Sequence, residues 1–410
     1  MSAFPLNYGS TGRLAVEIAD GRLHGVVTPP PAIKDVRAAT AAAIASPIEF
    51  PSLRQAMLPE DQITIVIDLD TPAADQVLAG VWDALANIGV DAGRVTLLHP
   101  ASVGGEKARD PRGALPREVS AAMHRHVHDP TDEQACSYLA TTASGDRIYL
   151  AKQLVEADYV ICIGAVRFDA FLGYRGTFSA VYPGLSDTEN LRRAYGAAHV
   201  ELGPDDPRPM RERVDEVGWL LGAQFVVQVV PAANGGVARV FAGLAEPVFA
   251  VAKQAVRELW GVNINQRVEL VIAAVEAEHG VQSWSQVAHA LEVAGQVVSR
   301  DGRVLLLTQL DRPLTPGLEI LRDARTPRES IKPIQEYARE DKGLAMQLAH
   351  GVERANVYLL SRLPPDQVEE LFMVPLVTEA EAFKVLETGD EVVVLGSAQN
   401  VVVRHTGDQA

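Results

Sequence analysis

Cysteine is nearly absent from this 410-residue chain: Cys136 and Cys162 are its only two, and their spacing fits neither a metal site nor a redox motif. This scarcity argues against a disulfide-stabilised secreted protein and favours a reducing, cytoplasmic compartment. No apolar run reaches the roughly 18 residues of a membrane-spanning helix, so none is expected. The first residues also lack the basic segment and apolar core of a signal peptide.

Positive charge is scarce as well. The chain has 37 Lys and Arg against 53 Asp and Glu, a formal net charge of −16. Because binding to nucleic acid requires clustered basic residues that neutralise phosphates, we expect no nucleic-acid partner. For the same reason, we do not expect the protein to bind an anionic membrane surface. The sequence is compatible with a homo-oligomer.

The pattern of apolar residues predicts an α/β fold. Strands are predicted at 63–67, 95–98, 159–163, 268–275, 304–308, 357–361, 391–395 and 401–404, and helices at 33–45, 76–88, 284–298 and 330–352. The last strand is expected to pair with the one before it, and residues 225–230 and 238–242 to form a hairpin through Asn234-Gly235-Gly236. This alternation predicts two three-layer α/β domains with mainly parallel sheets.

Chain length also predicts two domains, since 410 residues are too many for one hydrophobic core. The sequence becomes more polar and loses periodicity near residues 261–266. We therefore expect an N-terminal domain of residues 1–262 and a smaller C-terminal domain of residues 267–410. An interdomain cleft lined by strand ends would be a natural site for a small molecule.

Polar side chains follow the predicted strands in both halves. They are Asp68, Asp70 and Thr71, His99, Arg167 and Asp169, then Glu276, Glu278 and His279, and Gln309, Asp311 and Arg312. Ligands of open α/β sheets bind at the carboxyl ends of strands, so these residues are site candidates, although every strand must end at a polar turn. No metal site is predicted: His124, His126 and His128 alternate as on one strand face, but a solvated strand end explains them better.

One stretch, residues 159–184, combines a buried strand with a dense polar segment. Tyr174 and Arg175 lie between Gly173 and Gly176, which would let the backbone approach a ligand closely. Arg167 and Arg175 are suited to bind a carboxylate or phosphate through two parallel hydrogen bonds. A surface loop with ordinary charges would explain the same residues.

Several motifs of the chain resemble the nickel-dependent lactate racemase family. Leu6-Asn7-Tyr8-Gly9 resembles its L-x-Y-G, residues 47–54 its P-I-G-S-P-x-L-R, residues 68–72 its D-x-T-R-P, and residues 241–243 its F-A-G. The strongest similarity is to F-A-G-x-S-G-G-x-K-x-x-x-P-G, with Phe171, Gly173, Gly176, Pro183 and Gly184 in register. Family members racemise or epimerise 2-hydroxy acids with a nickel-pincer nucleotide cofactor.

The residues that the family uses for this chemistry are replaced. Thr71 stands at its arginine, Asp169 and Tyr195 at two of its histidines, Ser179 at the lysine that holds the cofactor, and no histidine aligns with its G-T-H near residues 101–103. Gln286 keeps the register of a family glutamine, and His289 replaces a lysine. A serine hydroxyl cannot replace the lysine amine in the same linkage, so covalent attachment of the cofactor is not expected.

Three hypotheses about function follow. The chain is a diverged racemase or epimerase of hydroxy acids, or a non-catalytic paralogue. The third hypothesis is an active family member, in which the family's catalytic residues align with other positions of this chain than those given above. The catalytic candidates are His99, Asp169 and His289. A small anion, such as a hydroxy acid, a sugar acid or a nucleotide, is the expected ligand. The candidates for binding it are Asp68, Thr71, Arg167, Gly173, Tyr174, Arg175, Gly176, Ser179, Tyr195 and Gln286. Gln286 has a second interpretation, because Ser283 three residues earlier would form a helix capping box with it.

Overall fold

The computed structural model describes residues 2–100, 109–194, 202–223, 225–278, 280–338 and 341–405. The chain forms two compact units. The first unit contains the residues up to Pro30, Ala233–Gly235 and the residues from Arg257 onward. The second contains Pro31–Ala232 and Gly236–Val256.

The strands are β1 Ser2–Tyr8, β2 Gly12–Ile18, β3 Leu23–Val27, β4 Ile63–Ile67, β5 Val95–His99, β6 His124–Val127, β7 Cys136–Thr141, β8 Arg147–Ala151, β9 Tyr159–Ala165, β10 Arg167–Asp169, β11 Gly173–Arg175, β12 Phe225–Pro231, β13 Val237–Leu244, β14 Gly261–Ile264, β15 Val268–Ala274, β16 Val298–Leu307, β17 Asn356–Leu360, β18 Val374–Leu376, β19 Val392–Leu395 and β20 Val402–His405. The α-helices are α1 Val36–Ala45, α2 Leu53–Ala56, α3 Ala74–Asn87, α4 Arg117–Ala122, α5 Lys152–Val155, α6 Thr188–Ala194, α7 Pro209–Leu221, α8 Ala245–Trp260, α9 Trp284–Val297, α10 Pro316–Arg322, α11 Pro327–Tyr337, α12 Lys342–Arg354, α13 Pro365–Glu370 and α14 Glu379–Leu386.

The second unit is built on a six-stranded sheet with the order β13-β12-β9-β4-β5-β6. Its neighbours pair in parallel, except β12 and β13, which form the predicted antiparallel hairpin. Every side chain of β4 is buried, as expected for an interior strand of a parallel sheet. Side chains of α1 and α3 cover one face of the sheet, and side chains of α7 and α8 cover the other.

The first unit contains a six-stranded sheet in which all neighbours are parallel, with the order β18-β17-β16-β15-β19-β3. The β1–β2 hairpin and α14 pack on one face, and α9 and α12 pack on the other. The predicted fold class, α/β with mainly parallel sheets, is therefore confirmed. Within the described ranges, no helix combines the length and the apolar character needed to cross a bilayer.

The structure differs from the sequence-based expectation at the N terminus. The sequence places residues 1–262 in one domain, whereas the residues up to Pro30 belong to the same unit as the C-terminal part of the chain. The reason is that β3 pairs in parallel with β19 and extends its sheet. Such a pairing depends on contacts between distant parts of the chain, which local apolar patterns do not encode.

Two local predictions in the C-terminal part are wrong. Residues 330–352 do not form one helix, because α11 ends before an extended Ala338 and α12 begins after Asp341. The buried Asp341 carboxylate accepts a hydrogen bond from the Gly317 amide (2.7 Å), and this contact with the start of α10 competes with helix continuation. The final strand, β20, pairs with β14 and not with β19.

Candidate functional site

The carboxyl edge of the sheet in the second unit holds most of the predicted site residues. Asp68 directly follows β4, and its amide donates to the Ile163 carbonyl of β9 (3.0 Å). After β9 the chain turns into the β10–β11 hairpin, which pairs Arg167 with Arg175. Side chains alternate along strands, so Arg167 and Arg175 share one face of this hairpin while Tyr174 lies on the other.

Two arginines and two aspartates meet at this edge. Arg175 Nη2 lies 3.0 Å from Asp68 Oδ2, and Arg175 Nη1 lies 3.2 Å from Asp70 Oδ2. Arg167 Nη2 donates to the Asp70 carbonyl (2.6 Å). We call Asp68, Asp70, Arg167 and Arg175 the Arg–Asp cluster. With all four ionised, its formal charges cancel, so it is not the isolated positive spot that the two arginines alone suggest.

The two aspartates of the cluster differ in burial. The side chain of Asp68 is 9% exposed, whereas that of Asp70 is 49% exposed. Burial raises the pKa of the Asp68 carboxyl, and the nearby Arg175 opposes this shift. Asp68 is therefore the fixed partner of Arg175, and Asp70 is a partner that water or another anion can replace.

Thr71 and Asp169 shape the turns beside the cluster. The buried Thr71 hydroxyl donates to the Asp68 carbonyl (2.7 Å) and closes the turn after β4. Asp169 Oδ1 accepts hydrogen bonds from the amides of Phe171 (2.8 Å) and Leu172 (2.9 Å) at the tip of the β10–β11 hairpin. Asx turns of this kind are a structural use of aspartate. The predicted catalytic role of Asp169 has no support in these contacts.

Two positions of the loop need glycine because the surrounding protein leaves no room for a side chain, whether or not a ligand also approaches the backbone there. Gly173 and Gly176 have φ angles of +72° and +132°. A Cβ on Gly173 would lie 2.6 Å from the Pro204 carbonyl, and one on Gly176 would lie 2.8 Å from Val166 Cγ2. Larger residues are excluded at both positions by space and by backbone conformation.

Ser179, at the position of the family lysine, is also used structurally. Its Oγ accepts a hydrogen bond from the Gly176 amide (2.9 Å) and holds the loop in a single turn of 3₁₀ helix. Thr177, between them, has a φ of +52°, an unfavourable conformation for a β-branched residue. Because strained residues cluster at ligand sites, Thr177 adds a reason to look for one here.

Sequence reasoning missed the side chains that support this loop. Gln228, fully buried in β12, accepts a hydrogen bond from the Thr177 amide through Oε1 (2.8 Å). Arg211 donates to the Gly176 carbonyl (3.2 Å) and stacks on the Phe249 ring, with 4.6 Å from Cζ to the centroid. A glutamine inside the otherwise apolar β12 was a signal that could have been used, since buried polar groups need partners. Nothing local in the sequence indicates Arg211.

A lysine of α8, Lys253, lies near this segment. Its Nζ lies 4.8 Å from the centroid of the Phe249 ring and 6.0 Å from that of Tyr174. Tyr174 itself is buried, with 3% of its surface exposed. Tyr174 thus lies on the face of the hairpin away from Arg167 and Arg175, with its ring centroid 6.0 Å from the Lys253 ammonium of α8.

His99 ends β5, the strand next to β4, and is 2% exposed. Neither ring nitrogen has a hydrogen-bond partner among the described residues. Burial, with a smaller contribution from Arg125, lowers the pKa of His99 to about 4, and the nearby Ile67 carbonyl opposes the shift slightly. The imidazole is therefore neutral at neutral pH.

His128 is also buried, with Nε2 2.9 Å from the Ser186 carbonyl, so it is not a solvated strand end as predicted.

In the first unit, Gln286 serves as the third residue of a capping box at the start of α9. Its Oε1 accepts from the Ser283 amide (3.0 Å), and its own amide donates to the Ser283 hydroxyl (3.4 Å). His289 lies one turn further on and is half-buried.

Burial raises the pKa of Glu276, whose Oε2 accepts from the Asn234 amide (2.6 Å). Tyr195, His279 and residues 101–103 lie outside the described residues.

Known proteins are similar to this chain in sequence and in fold. Residues 8–201 match the model of the lactate racemase N-terminal domain. A lactate racemase from Thermoanaerobacterium thermosaccharolyticum is 21% identical over 295 residues, which cover 68% of this chain and 69% of that protein.

Solved structures share the arrangement of helices and strands. The lactate racemase apoprotein from T. thermosaccharolyticum matches with a TM-score of 0.80 at 17% identity, covering 98% of this chain and all of that one. A protein from Thermotoga maritima matches with a TM-score of 0.67 at 11% identity, covering 93% of this chain and all of that one. The protein thus has the α/β fold of lactate racemases. The resemblance to lactate racemases that the motifs predicted is thus confirmed, in sequence over residues 8–201 and in fold over nearly the whole chain.

Proposed function

We propose that this protein binds a small carboxylic acid, such as a hydroxy acid or a sugar acid, at the Arg–Asp cluster. The observation that supports this most directly is the pair of contacts made by Arg175, to the buried Asp68 and to the half-exposed Asp70. A ligand carboxylate can take the place of Asp70 while Asp68 keeps Arg175 oriented. Replacement of Asp70 leaves Arg175 Nη1, already oriented by Asp68, free to donate a charge-assisted hydrogen bond to the ligand.

We also infer that the protein does not hold the nickel-pincer nucleotide covalently. The position of the family lysine is Ser179, and its hydroxyl accepts a hydrogen bond from Gly176. At the position of the family arginine, the Thr71 hydroxyl donates to the Asp68 carbonyl. These residues do not fit the covalently attached cofactor, because neither side chain offers an amine or a guanidinium.

Two of the three candidate bases, His99 and Asp169, favour binding over racemisation. Abstraction of a proton from carbon needs a base that titrates near the working pH. The pKa of His99 is about 4, which makes it a weak base, and an oxygen of Asp169 is used by two backbone amides. A ligand-binding role without nickel-pincer chemistry is therefore the function that the geometry supports best.

Calorimetric titration of the whole protein with D- and L-2-hydroxy acids, sugar acids and nucleotides tests the binding proposal. Arg175→Lys keeps the charge that faces Asp68 but loses the planar fork, so it should weaken carboxylate binding by about 1.5–3 kcal/mol, the size of a charge-assisted hydrogen bond. Asp70→Asn removes the competing carboxylate and should strengthen binding. Arg192→Gln, on the exposed face of α6, is the matched control and should change nothing.

Results of the opposite kind would overturn the proposal. If Asp70→Asn weakens binding, or if Arg175→Lys binds as tightly as the wild type, the ligand does not replace Asp70 at Arg175. The cofactor inference is tested separately by co-expression with the enzymes that make the nickel-pincer nucleotide, followed by intact-mass measurement. A mass increase that matches the nucleotide would contradict it, and racemisation of lactate by the purified protein would support an active family member instead.

A further inference from the structure

Three arginines meet at the amino edge of the sheet in the first unit, away from the strand ends considered above. Arg267 immediately precedes β15, Arg300 lies near the start of β16, and Arg354 is the last residue of α12. We call these residues the arginine triad. They come from three separate segments, so their meeting is a product of the fold and not of a basic run in the sequence.

Two members of the triad, Arg267 and Arg354, lie at the junction between α9 and β16. Arg267 Nη1 donates to the Gly295 carbonyl (3.0 Å) and to the Val298 carbonyl (3.4 Å). Arg354 Cδ lies 3.6 Å from the point where a Cβ on Gly295 would be. Arg300, two residues after Val298, is exposed like Arg267, and it is near enough to Arg354 to help lower the pKa of that arginine.

No carboxylate neutralises the triad within the described ranges. Most other arginines with described contacts pair with an aspartate or a glutamate, as Arg322 does with Asp323 (2.9 Å). No ion pair involves Arg267, Arg300 or Arg354 in the part of the chain that the structure describes, and the buried Nε of Arg354 has no hydrogen-bond partner there. Burial and the neighbouring Arg354 lower the pKa of Arg267, and burial and Arg300 lower the pKa of Arg354.

A purely structural role accounts for only part of this arrangement. Arg267 satisfies two carbonyls at the C-terminal end of α9, and cations there interact favourably with the helix dipole. Arg354 has a similar position in the last turn of α12. Helix ends do not need Arg354 to lie near two other arginines, however, and this arrangement leaves its buried Nε without an acceptor. In a protein of net charge −16, an unpaired cluster of this kind indicates an anion site.

We propose that the arginine triad binds the phosphate group of a small molecule. A phosphate monoester carries about −1.5 to −2 charges at neutral pH and offers three acceptor oxygens, whereas a carboxylate carries one charge and two oxygens. Three guanidiniums match a phosphate monoester better than a carboxylate, both in charge and in number of hydrogen-bond donors. The C-terminal carbonyls of α9 would repel an anion, but Arg267 covers two of them. This site is independent of the carboxylate site proposed at the Arg–Asp cluster.

Inorganic phosphate is the probe, titrated calorimetrically into the whole protein in low-salt chloride buffer. The wild type should bind it saturably and more tightly than acetate. Arg300→Gln and Arg354→Gln should each weaken binding by about tenfold or more, since each removes a charge-assisted hydrogen bond. Arg322→Gln, which removes an arginine of the same unit that is paired with Asp323, is the matched control and should bind phosphate as the wild type does.

Thermal unfolding provides a second test, because Arg300→Gln should gain stability in chloride but gain less than the wild type from phosphate. In chloride, Arg300→Gln should raise Tm relative to the wild type, because it relieves repulsion within the triad. In phosphate the wild type should be stabilised more than this variant. Phosphate also stabilises proteins generally through exclusion from their surface. If it raises Tm equally in the wild type, both triad variants and Arg322→Gln, that general effect is sufficient and the proposal fails.

Discussion

Arg175 and Asp68 form an ion pair that is mostly withdrawn from solvent, with 3.0 Å between Nη2 and Oδ2 and side-chain exposures of 22% and 9%. The two residues are 107 positions apart in the chain. The pair is held at the carboxyl edge of the sheet because β4, which leads to Asp68, lies next to β9, which leads into the hairpin that contains Arg175. This ion pair therefore contributes both to the stability of the fold and to the geometry of the proposed ligand site.

Removal of Arg175 should cost more stability than removal of the Asp68 charge. Arg175→Gln leaves a buried carboxylate without its cation, and we expect a loss of about 3 kcal/mol in the free energy of unfolding at neutral pH. Asp68→Asn should cost much less, because burial already disfavours the charged form of this carboxyl, as its raised pKa indicates. Urea unfolding of both variants measures the difference.

The double variant Asp68→Asn/Arg175→Gln provides the control. It contains no unpaired buried charge, so it should recover most of the stability that Arg175→Gln loses. The loss in Arg175→Gln should also shrink as the pH falls and Asp68 gains a proton. Equal losses in both single variants, with no recovery in the double variant, would show that packing and not charge dominates at this position.

Stability should depend on pH through His99. Its pKa is about 4 in the folded protein against an ordinary value of 6.5, so between these values the unfolded state binds a proton that the folded state does not. Stability therefore falls as the pH is lowered from 6.5 to 4, by at most about 3.4 kcal/mol, and does not change through this group above that range. Free energies of unfolding measured at several pH values for the wild type and His99→Gln should show a smaller slope in the variant.

His124 offers a control for this experiment because it lies exposed on the neighbouring strand β6. His124→Gln should keep the slope of the wild type. His128 is also buried with a lowered pKa, so His99→Gln should retain part of the dependence. Identical slopes in the wild type and His99→Gln would mean that His99 becomes protonated in the folded protein near its ordinary pKa.

The sequence predicted where the candidate residues stand along the strands better than it predicted their contacts. The runs before Asp68 and His99 are apolar enough to identify strands and to place both residues at their carboxyl ends, which the structure confirms. Whether Arg175 would pair with Asp68 could not be predicted, because that contact depends on strand order. Ser179 stands at the family lysine, and the motif identifies the replacement, but its hydrogen bond to Gly176 is visible only in three dimensions.

Replacement of Gly176 by alanine should destabilise the second unit. The residue has a φ of +132°, and an added Cβ would lie 2.8 Å from Val166 Cγ2 and 2.9 Å from Gln228 Oε1. Backbone strain and displacement of these neighbours should together cost about 2–4 kcal/mol. Gly113→Ala is the control, since nothing lies within 4 Å of its Cβ position, and it should be neutral or slightly stabilising. A thermal unfolding midpoint for Gly176→Ala equal to that of the wild type would contradict the packing argument.

The role of Gln286 can be decided by comparing two substitutions. In the capping box its Oε1 accepts a hydrogen bond from the Ser283 amide, and a glutamate can do the same while also favouring the positive end of the α9 dipole. Gln286→Glu should therefore match or slightly exceed the stability of the wild type, whereas Gln286→Ala should lose about 1 kcal/mol. Glu381→Gln in the equivalent box of α14 is the control, and should be close to neutral. If Gln286→Glu loses as much stability as Gln286→Ala, the capping hydrogen bond is not what this residue contributes to the fold.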